Sequence, residues 1–163
     1  MMIHDFDLAR YYAGNDKFVS IFATGSNISN KYFNKLKDFE LATAVLKTKS
    51  GIQCVISNSR HCSFGYDQRV ELFGSKGMVI SDNVKQNEIS EYSNKNTHAG
   101  SNFKYFFTER YEQAYKDQLN DLAKLFKKNL RPKTGFIDGK ISIQIAESAI
   151  QSIKSKKFEK IKY

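Results

Sequence analysis

At 163 residues, 40% hydrophobic and 13% aromatic, the chain is sized and composed for one ordinary globular domain and not for a disordered segment. Two cysteines, Cys54 and Cys62, exclude a disulfide framework and are expected to be reduced; with no C-x-x-C and no Cys/His cluster of zinc spacing, no metal site is expected. The net charge of +9 comes mostly from lysines dispersed among acids, so a solvated surface is expected in place of a nucleic-acid footprint, and no apolar run approaches the roughly 18–20 residues of a membrane span.

In chain order, Ile3, Phe6, Ala9 and Ala13 fall on one helical stripe closed by Gly14, which predicts a helix over the first dozen residues. Its acids, Asp5 and Asp7, and the lack of a basic start argue against a secretory signal, and a cytoplasmic location is expected. KFVSIFATG (17–25) alternates and reads as a strand, and the polar residues 26–38 read as a loop. FELATAVLKTK (39–49) and GIQCVISNSRH (51–61) form a hairpin across Ser50-Gly51. DQRVELFG (67–74) and GMVISD (77–82) form a second pair across Ser75-Lys76. QNEISEYS (86–93) is a weaker edge strand, and SNKNTHAGSN (93–102) is a loop. The period then changes: Tyr111, Tyr115, Leu119, Leu122 and Phe126 predict a long helix from Thr108 to Lys128, broken by Pro132 and Gly135. Ile141, Ile145, Ala149 and Ile153 mark a last helix entered near Asp138, and KSKKFEKIK (154–162) reads as a short basic tail.

One helix, a run of antiparallel-type strands and two more helices predict an α+β fold, with helices on one face of the sheet, in a single domain spanning 1–163. The segments 39–49 and 51–61 carry apolar residues on both parities: Phe39, Leu41 and Val45 on one, Ala42, Ala44 and Leu46 on the other. Both sheet faces are therefore expected to be covered, the second by another subunit or domain, so the chain should form a homo-oligomer through its sheet.

No G-x-G-x-x-G, P-loop or nucleophile elbow occurs, and Gly74-Ser75-Lys76-Gly77 joins two strands, which makes it a turn and not a phosphate cradle. Two stretches can carry chemistry. In His4-Asp5-x-Asp7 with Arg10, His4 and Asp7 share a helical face, as do Asp7 and Arg10. Histidine is suited to moving a proton near neutral pH; the structural reading is a partly buried His held by a carboxylate, with Asp7 and Arg10 as an ion pair. Between two strands, Asn58, Arg60, His61, Tyr66, Asp67, Gln68 and Arg69 offer donors that suit a polyhydroxylated ligand, or else a solvated loop.

MMIHDFDLARYYAG resembles the helix that opens the C-terminal domain of the Gfo/Idh/MocA oxidoreductases. NSRHCSFGYDQRVELFGSKGMV, FFTERYEQAYKDQL and the Gly135…Asp138-Gly139 stretch resemble the inositol 2-dehydrogenase branch of that family, so the resemblance covers essentially the whole chain. It implies a large open, mainly antiparallel sheet with helices on one face, forming the substrate-binding and oligomerisation domain. It also implies that the Rossmann domain, which binds NAD or NADP and carries a catalytic Lys, is absent. In that branch a catalytic Asp stands four residues before a catalytic His; His4 matches the His, and the Asp falls one position before Met1. The chain is therefore expected to be a C-terminal fragment, inactive alone and holding no cofactor itself. Its intact relatives would transfer hydride from a polyol or sugar hydroxyl carbon to NAD(P). The resemblance makes His4 catalytic and Tyr66 a substrate contact for a polyol such as myo-inositol, with Asn58 and Arg60 as further candidates for the same pocket. Asp7 and Arg10 would position the helix, and Tyr111 would line the pocket or sit in the core. A non-catalytic binding or assembly domain, or another sugar dehydrogenase of the family, is the alternative.

Overall fold

The computed structural model describes residues 1–95 and 97–163. The chain divides into two compact units, Met1–His61 with Lys133–Tyr163, and Cys62–Pro132.

In the first unit, α1 (Ile3–Ala13) ends where Gly14 takes a positive φ of 64° and donates its N–H to the carbonyls of Arg10 and Tyr11. β1 (Phe18–Ser26) pairs antiparallel with β2 (Leu41–Thr48), which pairs antiparallel with β3 (Gln53–Ser59). The segment 26–38 holds one short helix, α2 (Tyr32–Lys35), where only a loop was expected. On the other edge of β1 lies β8 (Glu159–Lys160), so the sheet order is β3-β2-β1-β8. This corrects the reading of 154–162 as a short basic tail, since Glu159 and Lys160 pair with β1. Ile161 donates its N–H to the Val19 carbonyl and is itself buried, because its apolar side chain gains more from the core than from solvent.

The last helix of this unit, α5 (Phe136–Ser155), packs along β1 and against α1. Its N-terminus is closed by a capping box in which Gly135 N–H donates to Asp138 Oδ2 at 2.8 Å. Facing side chains build the core: Phe6 from α1, Phe18, Ile21 and Ala23 from β1, Ala44 and Leu46 from β2, Ile56 from β3 and Ile145 and Ala149 from α5. The strand register explains the layer, since Ile21 stands opposite Leu46 and Ala23 opposite Ala44. β2 buries its Ala44, Leu46 and Thr48 parity, while Val45 is only half-buried and its β3 partner Val55 is exposed. Ser142, Ser148 and Ser152 are also buried on α5; small side chains there bring the helix close to the sheet. Ser152 Oγ accepts the Ala23 N–H at 2.9 Å, serving β1 where the two-residue β8 has ended.

The second unit holds β4 (Val70–Gly74) and β5 (Gly77–Ser81), paired as a two-stranded ribbon with Leu72 opposite Val79. β6 (Ser90–Glu91) pairs with β7 (Ala99–Gly100), so the expected strand at 86–93 shrinks to two residues and its partner comes from the expected loop. Asn96 of that loop lies outside the described residues. The expected helix from Thr108 to Lys128 is divided into α3 (Phe107–Arg110) and α4 (Glu112–Lys128) at Tyr111, whose φ of −109° and ψ of 14° leave the helical region. The helix stops at Asn129, which takes the left-handed conformation, ahead of Pro132.

Candidate functional site

His4 lies in the first turn of α1, exposed to solvent. Its neighbour Asp5 turns toward the sheet, where Asn58 Nδ2 on β3 donates to Asp5 Oδ2 at 3.2 Å. Burial pushes the Asp5 carboxyl above the usual range, against the opposing pull of Asn58 and of His4. Burial, together with the Asp5 charge, pushes the Cys54 thiol on the same strand upward. Asn58 Oδ1 is buried and meets no donor among the described residues. The structure thus brings Asn58 to the His4-bearing turn through Asp5.

Asp7 and Arg10 form an ion pair on α1. Arg10 Nη1 donates to Asp7 Oδ1 at 2.9 Å, and Arg10 Nη2 reaches Asp138 Oδ1 at 3.1 Å, which ties α1 to the start of α5. The Gly135 N–H, and then Arg10, hold the Asp138 carboxyl below the usual range.

Arg60 is engaged by the loop it follows in space. Its Nε donates to the Phe39 carbonyl at 2.9 Å, Nη2 donates to Asp38 Oδ2, and the guanidinium lies 4.8 Å from the centre of the Phe33 ring. Beside it, buried Glu40 accepts the backbone N–H groups of Ser29 at 2.9 Å and Asn30 at 3.1 Å and the Ser29 hydroxyl, with His61 Nε2 at 3.5 Å. The Ser29 hydrogen bond leads the causes that lower the Glu40 carboxyl. Sequence reasoning missed Glu40, because an acid at a strand start carries no local sign that a loop eleven residues away will fold over it.

In the second unit, Tyr66 follows Gly65, whose φ of 122° favours glycine and where a Cβ would stand 3.0 Å from Phe103 Cβ, tighter than ordinary contact. Tyr66 N–H donates to the Lys104 carbonyl at 2.9 Å. The Tyr66 ring is half-buried and meets Tyr111 edge-on, with centroids 5.7 Å apart and planes at 81°. Tyr111 Oη donates to Gln68 Oε1. Gln68 N–H in turn donates to Asn83 Oδ1 at 2.7 Å, Asn83 Nδ2 donates to Asp67 Oδ1 at 2.7 Å, and Arg69 donates twice to Asp67, through Nε at 2.8 Å and Nη2 at 2.9 Å. The Arg69 hydrogen bond is the main reason the Asp67 carboxyl lies below its usual range.

Among the described residues no group of three His, Cys, Asp or Glu side chains is placed to hold a metal ion, and no helix is long and apolar enough to cross a membrane. The glycine at the start of α5 has its N–H filled by Asp138, and Gly74 and Gly77 face each other across the β4–β5 turn. By itself the first unit offers an exposed imidazole, His4, that can move a proton, and an amide, Asn58, while the second unit by itself offers the Tyr66 phenol and the Gln68 amide, groups that can bind hydroxyls.

Residues 1–80 match the GFO/IDH/MocA C-terminal domain. The chain is 38% identical to the myo-inositol 2-dehydrogenase of Thermotoga maritima over 161 residues, covering 99% of this chain and 48% of that one. The structure matches a myo-inositol dehydrogenase from Corynebacterium glutamicum with a TM-score of 0.93 at 33% identity, covering 100% of this chain and 48% of that one. It shares its fold with the myo-inositol dehydrogenase of Lactobacillus casei solved with NAD(H) and myo-inositol, at a TM-score of 0.83 and 22% identity over 99% of this chain and 47% of that one. The chain spans about half the length of the curated relatives it matches.

Proposed function

The chain belongs to the Gfo/Idh/MocA oxidoreductase family, and from that premise we propose that it is the substrate-binding and assembly domain of an inositol 2-dehydrogenase-like enzyme. Such an enzyme transfers hydride from a polyol or sugar hydroxyl carbon to NAD or NADP. The observation that supports this best is the 38% identity to a myo-inositol 2-dehydrogenase along 99% of the chain. In this proposal residues 1–163 act as one domain in the cytoplasm, and the cofactor is held outside these residues.

His4 takes the hydroxyl proton, which suits an exposed imidazole on a helix turn backed by Asp5. Tyr66 presents its phenol to the substrate hydroxyls. Asn58 and Arg60 are the remaining candidates for the same pocket. The sheet face opposite α5 carries Phe22, Val45 and Val55 in one row of the register, and this row is the proposed contact between copies. The 163-residue chain alone is proposed to be inactive, and the second reading is a non-catalytic assembly domain.

The test is incubation of the 163-residue chain with myo-inositol and NAD or NADP, with reduced cofactor and chain mass both recorded. The expected result is an oligomer without turnover. Turnover by the chain alone would refute the inactivity, and a monomer at micromolar concentration would refute the sheet contact.

A further inference from the structure

We infer that Gln68 and Tyr111 are positioning residues for Tyr66, and that their hydrogen bond sets how tightly and how selectively the polyol is held. The inference rests on the reading of Tyr66 as a substrate contact. A phenol on a loop recognises a hydroxyl pattern only if its ring is held in one orientation, since the ordering of a free side chain is otherwise charged against binding. Tyr66 is held at both ends. Its backbone is fixed by Gly65, whose φ of 122° would strain any residue with a side chain, and by the N–H bond to Lys104. Its ring is fixed by the edge of Tyr111.

Tyr111 in turn cannot rotate without losing the hydroxyl bond to Gln68. The backbone that carries Gln68 is held by Asn83, and Asp67 holds Asn83. The Arg69 guanidinium closes the chain on Asp67. The run Gly65–Arg69 is therefore a single braced platform, and the helical break at Tyr111 falls at the residue whose side chain the platform grips.

The experiment is a titration of the 163-residue chain with myo-inositol and with scyllo-inositol, followed by backbone amide and tyrosine-ring NMR, on the wild type, Tyr66→Phe, Tyr111→Phe, Gln68→Leu and Gln68→Glu. Thermal midpoints are recorded for each. Tyr111→Phe and Gln68→Leu are expected to weaken polyol binding about fivefold each, the worth of one ordinary hydrogen bond. They should also narrow the preference between the two isomers, with midpoints unchanged. Gln68→Glu, which keeps an acceptor for Tyr111, is expected to restore binding. Unchanged affinity and selectivity in Tyr111→Phe and Gln68→Leu overturn the positioning role while leaving Tyr66 as a contact. Unchanged affinity in Tyr66→Phe, or no polyol binding by the wild type, overturns the reading of Tyr66 itself and the inference with it.

Discussion

The two units of this chain are held together by different physics. Met1–His61 with Lys133–Tyr163 supplies every buried hydrophobic side chain among the described residues, from Phe6 and Phe18 to Leu46 and Ile145. Cys62–Pro132 buries none: Phe73 is 85% exposed, Phe126 79% and Leu119 68%. In that unit order comes from hydrogen bonds, such as the Asp67–Arg69–Asn83 set and the turns that pin Tyr66. Hydrophobic burial gives cooperative stability, whereas a hydrogen bond exchanged with water contributes little net free energy. Geometry can thus be well defined where stability is low.

The largest expected effect contrasts the two units directly. Leu46→Ala should cost about 3 kcal/mol in urea unfolding, whereas Phe126→Ala should stay within about 0.5 kcal/mol. Equal losses would show that the second unit is buried in the unfolding species. Next, Ser152→Ala strands the Ala23 N–H and the Lys157 carbonyl, and should cost about 2 kcal/mol by the same measurement. Amide hydrogen exchange should place β1 and β2 near the global unfolding limit, with α4 exchanging orders of magnitude faster (roughly ten- to a thousandfold).

A smaller effect separates two carboxylates within the first unit. Asp138 has a depressed value when folded, so its contribution is present above its unfolded value of about 3.9 and is lost as pH falls through the folded one. Asp5 has a raised value, so its contribution is present below about 3.9 and is lost as pH rises through the folded one. Asp138→Asn should therefore be less stable than the wild type at pH 7, and Asp5→Asn more stable. Both differences should vanish in acid, as read from melting curves across pH. The smallest stability effect should follow Val55→Lys, whose side chain is exposed; its expected signature is a lower mass in light scattering.

Much of the fold was legible because its signals are local. The stripe Ile3, Phe6, Ala9, Ala13 and the stop at Gly14 describe α1, and the Ser50-Gly51 turn sets the β2–β3 hairpin. Around the candidate site the Arg10 pair was readable from helical spacing, and the branch resemblance singled out Tyr66. The engagement of Arg60 by Asp38 and Phe39, the loop over Glu40 and the bond from Asn58 to Asp5 were not readable, since each joins residues eleven to fifty-three positions apart.

By itself the sequence determined where the main helices and strands occur, where the hairpins turn and which family it resembles, because period, turn chemistry and motif are properties of neighbouring residues. Tertiary structure alone decided that 159–160 becomes β8, that the helix breaks at Tyr111, and that β2 buries Leu46 while leaving Val45 half-covered. Those outcomes depend on partners brought from far along the chain: β1 for Glu159 and Lys160, Tyr66 and Gln68 for Tyr111, and the α1–α5 layer for Leu46. Segments 39–49 and 51–61 carry apolar groups on both parities, so period alone could not choose the buried face. Packing chose it, by placing α1 and α5 on one side of the sheet.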